Sequence, residues 1–300
     1  MRALRVLRHD QRGYALADLL ITIAILGLVM AAVLGVQLTS NIMFLRGENQ
    51  AEAQQGARAA MLMEEDVRMV GYGCPDNGCP TDPVTLNYSA TGTPMKISAA
   101  SATSITAWAD TLNASTTLCA AATAGATSLT VADASGIVVG DRIYLDNGGT
   151  WESKTVTGKA VTVHIGPPCA QTDTLTVAGL TNAYPQGVQV GRPRKITYQL
   201  AANALCAANT AGNTLCKDAG DGSGLQPLAT GVTGLAYTYY VQPDPQPLTP
   251  ITLTGNPPSV PTASLSTIGR IQITTSTQSA QSASGPSTFS INTNVRPRNL

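Results

Sequence analysis

The sequence predicts an α+β protein. A long N-terminal helix, membrane-spanning first and amphipathic second, packs on a C-terminal antiparallel β-rich domain with a β-hairpin insertion. Three observations predict it. Residues 19–36 carry no charge. Residues 37–70 lack proline and are rich in Ala, Gln, Glu, Met and Arg, which favour helix. Beyond residue 80, Ala, Thr, Ser, Gly and Pro dominate, a composition suited to short strands and many turns. A chain of 300 residues can bury a sizeable core.

At about 1.5 Å per residue the uncharged run spans roughly 27 Å, close to the hydrocarbon thickness of a bilayer. Arg2, Arg5, Arg8 and Arg12 all precede Gly13, opposed there only by Asp10. The positive-inside rule then leaves the N-terminus in the cytoplasm and exports the rest. A secretory signal has an apolar stretch of roughly seven to fifteen residues and is cut after it. Here the run is longer, and the small pair Ala31-Ala32 falls inside it. An uncleaved signal anchor is the plain alternative. Asp18 sits at the cytoplasmic edge of the run, where an ionisable group needs a partner. Either it caps helix amides, or a cut between Gly13 and Tyr14 supplies the partner. The new α-amine on Tyr14 would have an unperturbed pKa of about 7.7–8 and be largely cationic.

The stretch Arg12-Gly13-Tyr14-Ala15-Leu16-Ala17-Asp18-Leu19-Leu20 resembles the class III signal of type IV prepilins and type II secretion pseudopilins. The resemblance implies that prepilin peptidase cuts after Gly13 and N-methylates Tyr14. Residues 1–13 are then a leader, and Asp18 is the fifth residue of the mature chain, where the family has glutamate. Tyr14 stands where the family usually has phenylalanine, and Asp18 is one methylene shorter than glutamate. In that reading Asp18 makes the assembly charge contact, neutralising the amine on its own helix or on a neighbouring subunit and setting register in a filament.

The helix is expected to continue as an amphipathic part over 37–71, after a transmembrane part over 14–36. Unbroken from 14 to 70 it would measure roughly 85 Å. Ala60, Met63, Val67 and Val70 fall at i, i+3, i+7 and i+10, one apolar stripe. Glu64 and Arg68 are four apart in the favourable order. Gly47 and Gly56 are weak points, and Gly71, with Pro75 beyond, supplies the stop. The string Glu64-Glu65-Asp66-Val67-Arg68-Met69-Val70-Gly71-Tyr72-Gly73-Cys74 resembles the helix end of PilW-type minor pilins.

Six cysteines, Cys74, Cys79, Cys119, Cys169, Cys206 and Cys216, lie beyond an export segment. They read as candidate disulfides in an oxidising compartment, with reduced buried cysteine as the alternative. Fifteen pairings are open. Short spacing favours Cys74–Cys79 and Cys206–Cys216, which leaves Cys119–Cys169. No CxxC pair exists and His164 is the only histidine beyond residue 13, so zinc is not indicated.

The β-rich exported domain is placed at 72–300. Strands are expected at 104–109, 128–132, 137–145, 154–157, 161–165, 196–200, 234–241, 268–275 and 287–295, with a turn at Gly158 and a bulge at Gly140. The hairpins between 119 and 180 form an insertion. Residues 218–224 read as a loop, and the Pro-rich 242–261 as an extended, partly mobile one. Tyr198, the segment 228–240, Gly269-Arg270-Ile271-Gln272-Ile273 and 293–300 follow the element order of PilW-type and pseudopilin J-type subunits.

Charge balances at eighteen basic and eighteen acidic residues. Loss of 1–13 would leave a net charge near −3, so no specific nucleic-acid partner is indicated. Arg192-Pro193-Arg194-Lys195 and Arg296-Pro297-Arg298 read as solvated faces, and the acidic loop from Asp218 to Gly224 as a solvated turn without EF-hand spacing. No GxSxG, HExxH or phosphate-cradling loop occurs. His164 sits in a strand pattern, so no enzyme and no cofactor is expected. The resemblance implies a minor pilin, an inner-membrane precursor assembled into a pilus at the cell surface. Its partners would be other pilin subunits, prepilin peptidase, the inner membrane and the pilus assembly machinery. A minor pseudopilin of type II secretion and a membrane-anchored adhesin or ligand-binding ectodomain are the alternatives.

Overall fold

A computed structural model describes residues 11–75, 78–82, 87–89, 92–162, 167–201, 206, 214–242, 248–278 and 288–297. Helix α1 spans Gln11–Arg68. The chain forms two compact units, the first holding α1 as far as Ala51 and the second beginning at Glu52. In the first unit every described side chain from Leu16 to Phe44 is exposed.

In the second unit the rest of α1 lies on the sheets. Ala59, Ala60, Met63, Val67 and Val70 are buried, so the stripe is real and wider than its four expected members. Gly56 is buried as well. A Cβ there would collide with the Thr277 methyl. Gly56 is therefore a place of close approach between helix and strand, not a point of fraying. The helix stops where Gly71 takes φ +85°. The Gly71 amide then donates to the Trp108 carbonyl (2.8 Å), and Val70 bridges Ala109. The Cys74–Cys79 disulfide follows.

The body begins with β1 (Cys79–Thr81), β2 (Thr93–Met95), β3 (Ile97–Ala100) and β4 (Ser104–Ala109). Next come β5 (Thr116–Thr117), β6 (Ser128–Val131), β7 (Arg142–Asp146), β8 (Trp151–Ala160), β9 (Asp173–Val177) and β10 (Gln189–Gly191). The chain returns through β11 (Arg194–Ala201), β12 (Thr214–Asp218), β13 (Leu225–Thr230) and β14 (Val232–Val241). A 3-10 turn at Thr262–Thr267 leads to β15 (Ile268–Gln278) and β16 (Thr288–Val295). All named pairings are antiparallel. One sheet runs β13-β12-β11-β4-β3 and another β14-β15-β16. Met63 and Val67 of α1 share one core with Ile105, Ile196, Tyr237 and Ile271.

Strands β4 and β11 pair directly, so everything from β5 to β10 is inserted between two neighbours of one sheet. These six strands run β5-β10-β7-β8-β9-β6. A Leu118–Val131 bridge and the Cys119 amide on the Thr130 carbonyl (2.8 Å) join the outer pair. The sheet thus closes into a small barrel, which removes its exposed edges. Leu129, Ile143, Leu145, Leu175 and Val190 fill its own core.

Several local expectations change. Strand β8 is one ten-residue strand, and Gly158 marks a register shift rather than a turn. Without a side chain to pack, it lets the strand bend from β7 toward β9. The strand expected from residue 137 begins only at Arg142, because residues 138–141 make a turn. There the Asp141 carboxylate accepts the Val138 amide (2.8 Å), and Gly140 takes φ +98°. Positions 163–166, including His164, lie outside the described residues. In the Pro-rich segment, residues 248–261 are pinned. Pro250 bridges Tyr240, the Ile251 amide donates to the Tyr239 carbonyl (2.7 Å), and Val260 is buried.

The basic cluster after β10 is not a solvated face. Arg192 is 1% exposed and pairs with Asp141 at 3.1 Å, and Arg194 takes the other carboxylate oxygen at 2.9 Å. Asp141 belongs to the barrel and Arg194 to β11, so the clasp holds barrel to sheet. Burial pushes the Asp141 carboxyl up, but the Val138 amide, Arg194 and Arg192 together hold it below its ordinary value. A depressed folded value means the contribution is full above the unfolded pKa of about 3.9 and is lost as pH falls through the folded one. Below about pH 4, Asp141→Asn is therefore expected to flatten the acid loss of melting temperature relative to the parent. Parallel melting curves against pH for the two proteins would exclude the clasp as an acid-sensitive element.

Candidate functional site

The candidate site is the first unit itself. The apolar stretch Leu16–Phe44 covers 29 residues and contains an 18-residue window of mean hydropathy 2.8, none of it buried. It is long and apolar enough to cross a membrane. At about 1.5 Å per residue it measures roughly 43 Å, more than a hydrocarbon core of about 30 Å. Large side chains are bare on every side of the helix, from Ile42 at 48% to Leu28 at 73%. A helix apolar all round belongs in a protein core or a membrane. Both threonine hydroxyls are satisfied internally: Thr22 donates to the Asp18 carbonyl at 2.6 Å and Thr39 to the Gly35 carbonyl at 2.9 Å. Such back-bonding removes a polar group from the solvation cost.

Gly13 and Tyr14 are helical, within α1. Asp18 is exposed, and the described residues before it, 11–17, are already helical. It is therefore not the N-cap of α1, and the capping explanation fails for the chain as it stands. No described residue pairs with its carboxylate. Gly27 and Gly35 have open space where a Cβ would stand.

All six cysteines are paired, Cys74 with Cys79, Cys119 with Cys169 and Cys206 with Cys216. Among the described residues no group of three or more His, Cys, Asp or Glu is placed to hold a metal ion. In the acidic loop the Asp218 carboxylate accepts the Gly220 amide (2.8 Å), and Asp221 accepts the Ser223 amide (2.9 Å), so each closes its own turn.

One functional group on α1 escaped sequence reasoning. Asp66 is buried against the sheet, where it accepts the Tyr198 hydroxyl and pairs with Lys217 at 2.5 Å. The signal was present. Asp66 lies three residues after Met63 and four before Val70, on the apolar stripe rather than beside it.

Comparison of the chain with family models, with curated proteins and with solved structures returns no match.

Proposed function

We propose that this chain is a minor pilin, a structural subunit of a type IV pilus-like filament made as a membrane precursor. The observation that carries the reading is the uncovered, all-round apolar stretch Leu16–Phe44 with Asp18 at its beginning, leading into an antiparallel β-rich body. A stretch of that kind needs either lipid or other helices around it. A filament core supplies the second after the membrane has supplied the first. Prepilin peptidase cuts between Gly13 and Tyr14, and the new amine on Tyr14 remains largely cationic near neutral pH. Asp18 of one subunit meets that amine on its neighbour. In an apolar core an unpaired carboxylate is costly, so the paired register is favoured over slipped ones. The β-rich body stays outside, stiffened by its disulfides.

N-terminal mass spectrometry on protein from its native membrane tests the processing step. A mature chain beginning at N-methylated Tyr14 is expected. A chain still carrying Met1–Gly13, in cells with working prepilin peptidase, overturns the reading in favour of an anchored ectodomain. Asp18→Ala is expected to leave processing intact and to lower incorporation into filaments.

A further inference from the structure

The sheet β14-β15-β16 ends on an edge that the fold leaves open. Strand β16 pairs with β15 at every position from Thr288 to Val295 without a register shift. No described residue pairs with its other side. In an antiparallel pair alternate residues turn their N–H and C=O groups away from the partner, so half of β16 presents backbone groups along that side. Among the described residues the other sheet edges are blunted. Pro250 and Ile251 lie along β14, and the Val260 amide donates to the Ala100 carbonyl (2.8 Å) at the edge of β3. Proline interrupts the ladder at Pro227 in β13, Pro80 in β1 and Pro94 in β2. The barrel removes its edges by closing. Strand β16 has none of these devices, and its eight residues contain no proline and no charge.

The inner face of the sheet is unfinished at the same edge. Ile271, Ile273, Thr275 and Thr277 of β15 are all buried. The register sets Val295, Thr293, Ile291 and Phe289 of β16 opposite them, and cross-strand neighbours share a face. Val295 is buried, but Ile291 is half-buried and Phe289 is 53% exposed. The rows that run through Ile291 and Phe289 therefore lack their next member. Helix α1 covers the row nearer the other end of the strand, where Thr293 donates to the Glu64 carboxylate at 2.8 Å. On the opposite face Ser290, Asn292 and Asn294 are exposed.

These features define what fits. A row of backbone donors and acceptors at strand spacing is matched by an extended main chain, which adds to the sheet and is held by main-chain hydrogen bonds. Its side chains then alternate between the two faces. Those beside Phe289 and Ile291 must be apolar or β-branched, because a charge covered there would lose water without gaining a counterion. Glu64, which reaches this face, already holds Arg68 and Thr293. The alternate side chains, beside Ser290 and Asn292, are matched by uncharged polar groups.

We propose that β16 is a docking edge for an extended, uncharged segment of another protein chain, which adds to the sheet as a further strand with its apolar side chains beside Phe289 and Ile291. The assignment is independent of how the N-terminus is processed. The probe is a capped, fluorescein-labelled peptide of the β15 sequence Ile271–Thr277, whose alternation already matches β16. It is titrated against the full chain in detergent by fluorescence anisotropy, with hydrogen exchange followed over residues 288–295. Saturable binding and new protection of those amides are expected. Two further peptides are N-methylated at alternate amides, one set for each edge of the peptide strand. One of them should lose about tenfold in affinity and the other should keep it. Phe289→Lys places a charge at an exposed position of the edge and should also weaken binding about tenfold. The methylated peptides test the edge on the unaltered chain even if that variant folds poorly. No saturable binding, equal affinities of the two methylated peptides, binding unchanged by Phe289→Lys, or full protection of residues 288–295 before peptide is added overturns the assignment. Self-association of the full chain that Phe289→Lys abolishes would give the edge to a second copy and overturn it as well.

Discussion

Replacing both Cys119 and Cys169 by serine is expected to destabilise the barrel by about 4 kcal/mol, the largest single effect foreseen here. The two residues are 50 apart in sequence, and the disulfide between them closes the segment that contains β6, β7 and β8. Cross-linking removes loop-closure entropy from the unfolded chain, and the gain grows with the logarithm of loop length. The other two bridges close loops with separations of 5 and 10 and are expected to contribute less. Trp151 lies in the barrel and Trp108 in the main sheet, so the effect can be located. In a Trp108→Phe background, denaturant unfolding followed by fluorescence reports on the barrel alone. A clear fall in its midpoint for the double serine variant is expected. An unchanged midpoint would mean that the bridge constrains an already compact unfolded chain.

The second large effect is at Asp66. Its carboxylate accepts the hydroxyl of Tyr198, which is fully buried, and pairs with Lys217, whose side chain is 25% exposed. Burial pushes the Tyr198 phenol far above its ordinary range, and the adjacent Asp66 pushes it further. Asp66→Ala leaves that hydroxyl without an acceptor and the ammonium without its counterion. Breaking a fully buried pair costs about 3–5 kcal/mol. Because Lys217 keeps some water, about 2–3 kcal/mol is expected. Asp66→Asn retains an acceptor for Tyr198 and should cost less. A double-mutant cycle with Tyr198→Phe separates the hydrogen bond from the ion pair. If Asp66→Ala changes stability by under about 0.5 kcal/mol, the residue behaves as an ordinary surface position and the proposed link is absent.

What the sequence by itself determined is what depends on a sum over neighbouring residues. The apolar stretch is one case, because hydrophobicity adds along a helix whether or not anything covers it. The stripe of Ala60, Met63, Val67 and Val70 is another, since the 3.6-residue period alone aligns those side chains. Strands β4, β11, β14 and β15 were legible because they are long and apolar enough to show alternation. The tertiary structure alone decided the rest. Strands of two or three residues, such as β5, β1 and β10, carry too little pattern to be read and exist because a partner strand lies beside them. Gly158 looked like a turn, yet β7 and β9 on either side keep β8 running through it. Arg192 looked solvated because its counterion, Asp141, is 51 residues away and reaches it only when the barrel closes onto β11. Short-range order is encoded by composition and period, whereas a buried ion pair or a shared face depends on which distant segments the packing brings together.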